Sequence, residues 1–265
     1  MAKLPEITKF DPDLTEKVMG ILRPLLKVYH RSEVRGLENI PLGGALVVSN
    51  HSGGMLPMDV PIFSSHFYDK YGYDRPVYTL SHAMLMVGPT ADFFKKTGYI
   101  LASRENADEA LRSGGLVVVF PGGDYDVYRP STDANKIDFD GRKGYVKAAI
   151  QAGVPIVPMV GIGGQETQLF LTRGERIAKA LGPIARAART KVVPLSVGLP
   201  FGLSAVLPFN VPLPSKIVMQ VLPPIDIEAE FGAEPDIDAV DARVRKVMQD
   251  ALDQLAEERR FPVLG

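Results

Sequence analysis

The sequence contains no cysteine. That removes disulfides, thiolate metal sites and a cysteine nucleophile in one step, and it is compatible with a reducing compartment. It also lacks an excess of charge of either sign, with 30 basic against 31 acidic residues. A nucleic-acid partner calls for a basic excess or a one-sided basic stripe, and neither is present. The start, Met1-Ala2-Lys3-Leu4-Pro5-Glu6, lacks the apolar run of a signal peptide. No Gly-x-Ser-x-Gly elbow, Gly-x-Gly-x-x-Gly fingerprint or Walker pattern occurs, which argues against a serine hydrolase and a nucleotide-binding enzyme. The four histidines are not spaced as metal ligands with a carboxylate, so no zinc site is expected.

One stretch lacks charge altogether. Between Lys191 and Lys216 there is no charged residue. The run is long enough for a bilayer span, yet it holds Pro194, Pro200, Pro208, Pro212 and Pro214 with Gly198 and Gly202. A lipid-exposed helix cannot leave so many backbone groups unpaired. Residues 192–215 are therefore expected to be buried, re-entrant or interfacial.

What is present reads as one α/β chain, a length of 265 residues being ample for a substantial core. Residues 45–49, 77–80, 116–120, 156–160 and 217–222 are short apolar runs closed by turn residues, and they predict strands. Helical spacing predicts helices over 13–30, 59–70, 84–96, 104–113, 142–152, 173–189 and 238–258. Uniformly apolar strands alternating with helices imply a mixed, mostly parallel sheet covered on both faces. The organisation expected is an N-terminal amphipathic helical segment (1–32), a main domain (33–230) and a C-terminal helix packed on it (231–265). The first helix carries Val18, Ile21, Leu22, Leu25, Leu26 and Tyr29 at helical spacing with Lys17, Arg23 and Lys27 on other faces. It fits an anionic lipid surface as well as it fits packing on its own domain. The polar segment 129–141 is expected to be a mobile loop.

Open α/β sheets place their sites at the carboxyl ends of strands. Asn50 to Asp59, Pro121 to Asp126 and Gly161 to Glu166 all follow predicted strands, and Arg104 lies just past a fourth short apolar run. His51 is the residue best suited to proton transfer near neutral pH. It needs a carboxylate on its other ring nitrogen, and Asp59 is the nearest in sequence. Along an unbroken helix eight residues rise about 12 Å, too far for a hydrogen bond. Gly53, Gly54 and Pro57 argue for a turn that folds Asp59 back. Gly122 and Gly123 permit a close backbone approach to an oxyanion or phosphate. Arg104 suits an anionic group, although an Arg at a helix start is equally explained by ion pairing with Glu105 or Asp108. Arg142 and Lys143 read as solvated surface, and His30, His66 and His82 as structural.

Taken in order, Asn50-His51…Asp59, Gly98-x-Ile100-x-x-x-Arg104, Phe120-Pro121-Gly122-Gly123, Lys143-Gly144 and Val154-Pro155-Ile156-Val157-Pro158, preceded by Val34-Arg35-Gly36-Leu37-Glu38-Asn39-Ile40-Pro41, resemble the lysophospholipid and glycerolipid acyltransferase superfamily. The likeness is greatest to its monoacylglycerol and diacylglycerol acyltransferase-like branch and covers roughly residues 33 to 165. The resemblance implies that fold, an acyl-CoA or acyl-carrier-protein donor, a lipid alcohol acceptor, no metal and no resident cofactor. It also implies a peripheral position on the cytoplasmic face of a membrane. It implies that His51 takes the acceptor proton and that Asp59 orients His51. Arg104, Ser52, Lys143 and the Pro121-Gly122-Gly123 turn would bind substrate. Two departures stand out. The family's usual signature is His-x4-Asp, which would place the acid at Leu56, and its usual third block is Phe-Pro-Glu-Gly, where this chain has Gly122. The first motivates an alternative, a non-catalytic lipid-binding protein on the same fold; the second favours a neutral or unusual lipid alcohol over lysophosphatidate.

Overall fold

The computed structural model describes residues 6–183, 185, 191–208, 210–261 and 263–264. In chain order the strands are β1 (Glu33–Arg35), β2 (Ala45–Ser49), β3 (Val77–Ser81), β4 (Tyr99–Leu101), β5 (Leu116–Val119), β6 (Ile156–Ile162), β7 (Leu169–Thr172), β8 (Leu195–Gly198), β9 (Gly202–Ala205) and β10 (Val218–Val221). The helices are α1 (Pro12–Tyr29), α2 (Asp59–Tyr71), α3 (Ala91–Lys96), α4 (Arg104–Arg112), α5 (Gly123–Val127), α6 (Gly144–Ala152), α7 (Glu175–Leu181), α8 (Ile227–Phe231) and α9 (Ile237–Glu258).

A seven-stranded sheet has the order β1-β10-β6-β2-β5-β3-β4. Every neighbouring pair is parallel except β10 with β6. The expected mixed, mostly parallel sheet is therefore present. Strand β2 explains why its run is apolar throughout, because alternate side chains point to opposite faces. Leu46 and Val48 join one core with Val117, Ile156 and Val160 beneath α6 and α9. Ala45 and Val47 join the other with Val118, Val157 and Met159 beneath α1 and α2. Both faces are covered, so neither can be polar.

Three expectations need correction. The helix expected over 84–96 is broken: a 3-10 turn at Ala83–Met86 and α3 are separated at Gly88-Pro89, Gly88 having φ 84°. Proline lacks the N–H a continuing helix needs. The segment 129–141 is packed rather than loose, with Arg129, Ile137 and Phe139 all buried. Its polar sequence conceals two core hydrophobes and an internal guanidinium. The helix expected over 173–189 is α7 in its first part, and residues 184 and 186–190 lie outside the described residues. The charge-free segment folds as β8 and β9, which with β7 make a separate three-stranded sheet. Among the described residues no helix is long and apolar enough to cross a membrane.

His30 is structural, as expected, and has a measurable consequence. It caps α1, is buried, and its Nδ1 lies 3.3 Å from the Ser215 carbonyl. Burial lowers its pKa from the ordinary imidazole value; the Ser215 carbonyl opposes this and Arg31 adds to it. The unfolded chain therefore takes the proton first, so stability is lost as pH falls through about 6.5. The urea midpoint is expected to drop between about pH 7.5 and pH 5.5, and His30→Gln to remove part of that slope.

Candidate active site

Strands β2 to β6 run parallel, so their carboxyl ends share one edge. The loops after β2, β5 and β6 meet there. At the end of β2 the Asn50 side chain replaces the backbone as ladder partner of β6. Its Nδ2 donates to the Gly161 carbonyl at 2.9 Å and its Oδ1 accepts from Gly161 N–H at 2.9 Å. The strand thus ends firmly while its backbone turns away into the His51 loop.

That loop closes as the glycines predict. Gly53 and Gly54 have φ 105° and 102°, a region other residues rarely enter. A Cβ on Gly53 would lie 2.3 Å from the Gln165 side chain, so the loop also packs flush against the turn after β6. The reversal places Asp59, the first residue of α2, beneath the histidine. His51 Nδ1 and Asp59 Oδ2 are 2.9 Å apart, and Asp59 Oδ1 accepts from Ser52 N–H at 3.1 Å. A carboxylate cannot donate, so Nδ1 carries the proton and Nε2 is left with its lone pair. Nε2 has no protein partner among the described residues, and the ring keeps 15% of its surface exposed while the Asp59 side chain keeps none. The ring stacks on Phe120, centroids 4.1 Å apart and planes 9° from parallel. One edge of the imidazole is thus held, one face is covered, and the other nitrogen is free.

Beneath it lies a pair that sequence reasoning missed. Asp126 Oδ2 accepts from His51 N–H at 2.6 Å. Arg129 Nη1 donates to the His51 carbonyl at 2.9 Å and to Asp126 Oδ1 at 2.7 Å. The remaining guanidinium edge bonds the Ala134 carbonyl. Both side chains are buried. Burial raises the Asp126 pKa, against the opposing pull of Arg129 and His51. The two residues grip the His51 peptide from both sides. Only the unabsorbed acid in Gly-Gly-Asp-Tyr-Asp hinted at this; Arg129 stood at the head of a segment that looked like a loop.

The same acid explains the missing glutamate. A Cβ on Gly122 would sit 2.3 Å from Asp126 Cβ and 3.1 Å from the Asp138 carbonyl. Gly122 has an ordinary helical φ of −67°, so its requirement is space rather than conformation. Arg142 holds this turn, its Nη1 donating to the Gly122 carbonyl at 2.8 Å. Of the other expected substrate residues, Ser52 is buried beside Asp59, and Pro121 and Gly123 flank Gly122 next to Phe120. Arg104 is exposed at the start of α4. Lys143 forms a 2.8 Å ion pair with Asp238 on α9. Neither Arg104 nor Lys143 enters the His51–Asp59 hydrogen-bond network. No group of three or more acidic or imidazole side chains among the described residues could hold a metal ion.

Comparison with known proteins shows the family and the fold. The family described as Acyltransferase matches residues 31–161, which contain the His51 loop, the Phe120 turn and β6 up to Gly161. An uncharacterized protein of Mycobacterium tuberculosis is 33% identical over 97% of this chain and 70% of its own length. The chain belongs to the glycerolipid acyltransferase superfamily. A mouse protein described as "DGAT1/2-independent enzyme synthesizing storage lipids" is 30% identical over 74% of this chain and 57% of its own length. The crystal structure of the 1-acyl-sn-glycerophosphate acyltransferase PlsC from Thermotoga maritima superposes with a TM-score of 0.54 at 19% identity, covering 92% of this chain and 84% of that one, which establishes a shared fold. The protein is thus an acyltransferase, and the longer His-to-Asp spacing does not part the two residues, which lie 2.9 Å from one another.

Proposed function

We propose that the protein transfers a fatty acyl group from a thioester, acyl-CoA or acyl carrier protein, to the hydroxyl of a neutral glycerolipid or related lipid alcohol, with His51 as general base. The observation that carries this is the oriented imidazole, Nδ1 on a fully buried carboxylate and Nε2 without a protein partner among the described residues. Nε2 takes the acceptor proton as the acceptor oxygen bonds to the acyl carbon. The carbon–sulfur bond then breaks, and the departing thiolate takes the proton back from the imidazolium. Asp59 stabilises the transient cation. No acyl-enzyme is needed. The N–H groups of His51 and Ser52 are already engaged by Asp126 and Asp59, so other donors must meet the oxyanion, and the Gly53-Gly54 backbone is the nearest candidate.

The neutral acceptor is supported by Gly122. Where the Phe-Pro-Glu-Gly form has an acid, this chain has no room for any side chain. The mouse relative, described as an enzyme synthesizing storage lipids, points the same way. The test is free thiol release from a long-chain acyl-CoA with a panel of acceptors. Monoacylglycerol, diacylglycerol or a simple lipid alcohol should stimulate release well above lysophosphatidate; release stimulated by lysophosphatidate alone would refute the neutral acceptor. Arg104 is proposed to hold a polar end of donor or acceptor from the rim. Arg104→Ala is expected to raise KM several-fold and leave kcat nearly unchanged, a surface charge-assisted contact being worth about 1 kcal/mol.

A further inference from the structure

The small sheet β7-β8-β9 is apolar on its outer face, and strands β8 and β9 are polar inside. Its buried row is Phe170, Ser196 and Ser204, paired in register across the three strands. The serines belong to a buried polar network. Gln168 Nε2 donates to Ser196 Oγ at 2.7 Å, and Asn210 Nδ2 donates to Ser204 Oγ at 3.2 Å and to the Gly202 carbonyl at 2.9 Å. Asn210 Oδ1 in turn accepts from Phe201 N–H at 3.0 Å. All four polar side chains are buried. The opposite row, Leu169, Val197 and Leu203, is also in register and faces out. Leu203 is 64% exposed, and beyond the row Leu199, Phe201 and Leu207 are 66%, 57% and 73% exposed.

A half-buried sheet in water alternates the other way, apolar inward and polar outward. A contiguous apolar surface of this kind marks an interaction site. It is also a built one, because the internal hydrogen bonds fix the strands and the leucines cannot fold inward. We propose that this sheet and the hairpin between β8 and β9 form a shallow docking pad for an uncharged lipid surface, the hydrocarbon boundary of a phosphatidylcholine layer. The proposal rests on the reading of a lipid acceptor.

Three observations select this occupant over a second protein. No charged side chain lies between Lys191 and Lys216, so the β8–β9 hairpin itself offers no complementary charge to a protein rim or an anionic headgroup, and Arg23 and Lys27 of α1 are paired with Asp69. The segment after the hairpin is tied to α1, where Tyr29 Oη donates to the Pro212 carbonyl at 2.6 Å, and Ile21, Leu25 and Val28 of that helix form a second exposed apolar stripe at helical spacing. A strand face and a helix face of different shape are both satisfied by a fluid apolar phase. Finally, the pad is joined to the active-site edge. Leu213 N–H donates to the Thr167 carbonyl, in the same turn whose Gln165 packs on Gly53. Docking there puts the His51 loop beside the phase that holds the acceptor.

The full chain should sediment with pure phosphatidylcholine vesicles, with little gain from phosphatidylglycerol and little loss at high salt. Replacing Leu199, Phe201 and Leu203 together with serine should lower vesicle partitioning at least about tenfold, given the free energy of each buried methylene, with circular dichroism and thiol release from short-chain dispersed substrates unchanged. The chain has no tryptophan, so Phe201→Trp supplies a single reporter whose emission should shift to the blue on vesicle addition. Equal sedimentation of the serine variant and wild type would overturn the proposal. So would binding that needs anionic lipid, an unshifted Trp signal with bound protein, or a lipid-free dimer that the serine variant dissolves. Vesicle binding requires no turnover, so a failure to bind is distinguishable from a failure of the acyl-transfer reading.

Discussion

His51→Ala is expected to lower kcat for acceptor-dependent thiol release by about 10²–10⁴-fold, with a small change in KM, the span usually attributed to a positioned general base. The residue touches the acceptor proton only, so ground-state binding of either lipid chain is largely spared. Asp59→Asn should cost nearly as much. The amide would present either its oxygen to Nδ1–H, leaving the Ser52 N–H against an NH2 group, or its NH2 to Nδ1, which moves the imidazole proton to Nε2 and removes the lone pair that does the work. Asp59→Asn is thus expected to lose about 10²–10⁴-fold, as for comparable His–carboxylate pairs, and its fold should be nearly intact by circular dichroism because shape is conserved. Thiol release by His51→Ala equal to that of wild type would sink the general-base reading. Loss in His51→Ala without loss in Asp59→Asn would leave the base in place and remove the role of its partner.

How much of this was legible in the residues differs from place to place. The strands of the large sheet were readable because each is buried on two faces and so has no polar alternate position to blur the run, as Ala45–Ser49 and Leu116–Val119 show. The edge strands β1 and β4, three residues each, were not, since such short segments carry no periodicity. The small sheet was missed for the opposite reason. Its alternation is real, but inverted and interrupted by glycine and proline, so it reads as an irregular apolar stretch. At the site, His51 and Asp59 could be paired because the intervening glycines and proline spell a reversal. The Asp126–Arg129 pair could not. A buried ion pair has the same letters as a surface one, and nothing in Asp-Val-Tyr-Arg says that the guanidinium points inward to a carbonyl 78 residues earlier.

That pair carries the second large expectation. Arg129→Met should destabilise the protein by about 3–5 kcal/mol, because it strands the buried Asp126 carboxylate without a counter-charge. It also removes the guanidinium that joins the His51 and Ala134 carbonyls, leaving the first with only Asn50 Nδ2. The gentler Asp126→Asn keeps the volume but has one acceptor oxygen for two donors, the His51 N–H and Arg129 Nη1, and must turn an NH2 group toward one of them. The His51 peptide then shifts, and with it the ring, although Asp59 and Phe120 still hold the far edge and one face. Misplacing a catalytic group by an ångström can cost about a hundredfold. Asp126→Asn is therefore expected to lower kcat by about 10–100-fold at nearly constant KM, with a smaller fall in the urea midpoint. The decisive arm is the double variant. If Asp126 acts by positioning His51, then Asp126→Asn added to His51→Ala lowers the residual rate no further. If its role is only to hold the fold together, the residual rate falls by the same factor as in wild type. Gly122→Glu, which restores the commoner third block, is expected to fail in this chain for the same reason, since its Cβ would meet Asp126 Cβ at 2.3 Å and displace the carboxylate that now holds the histidine.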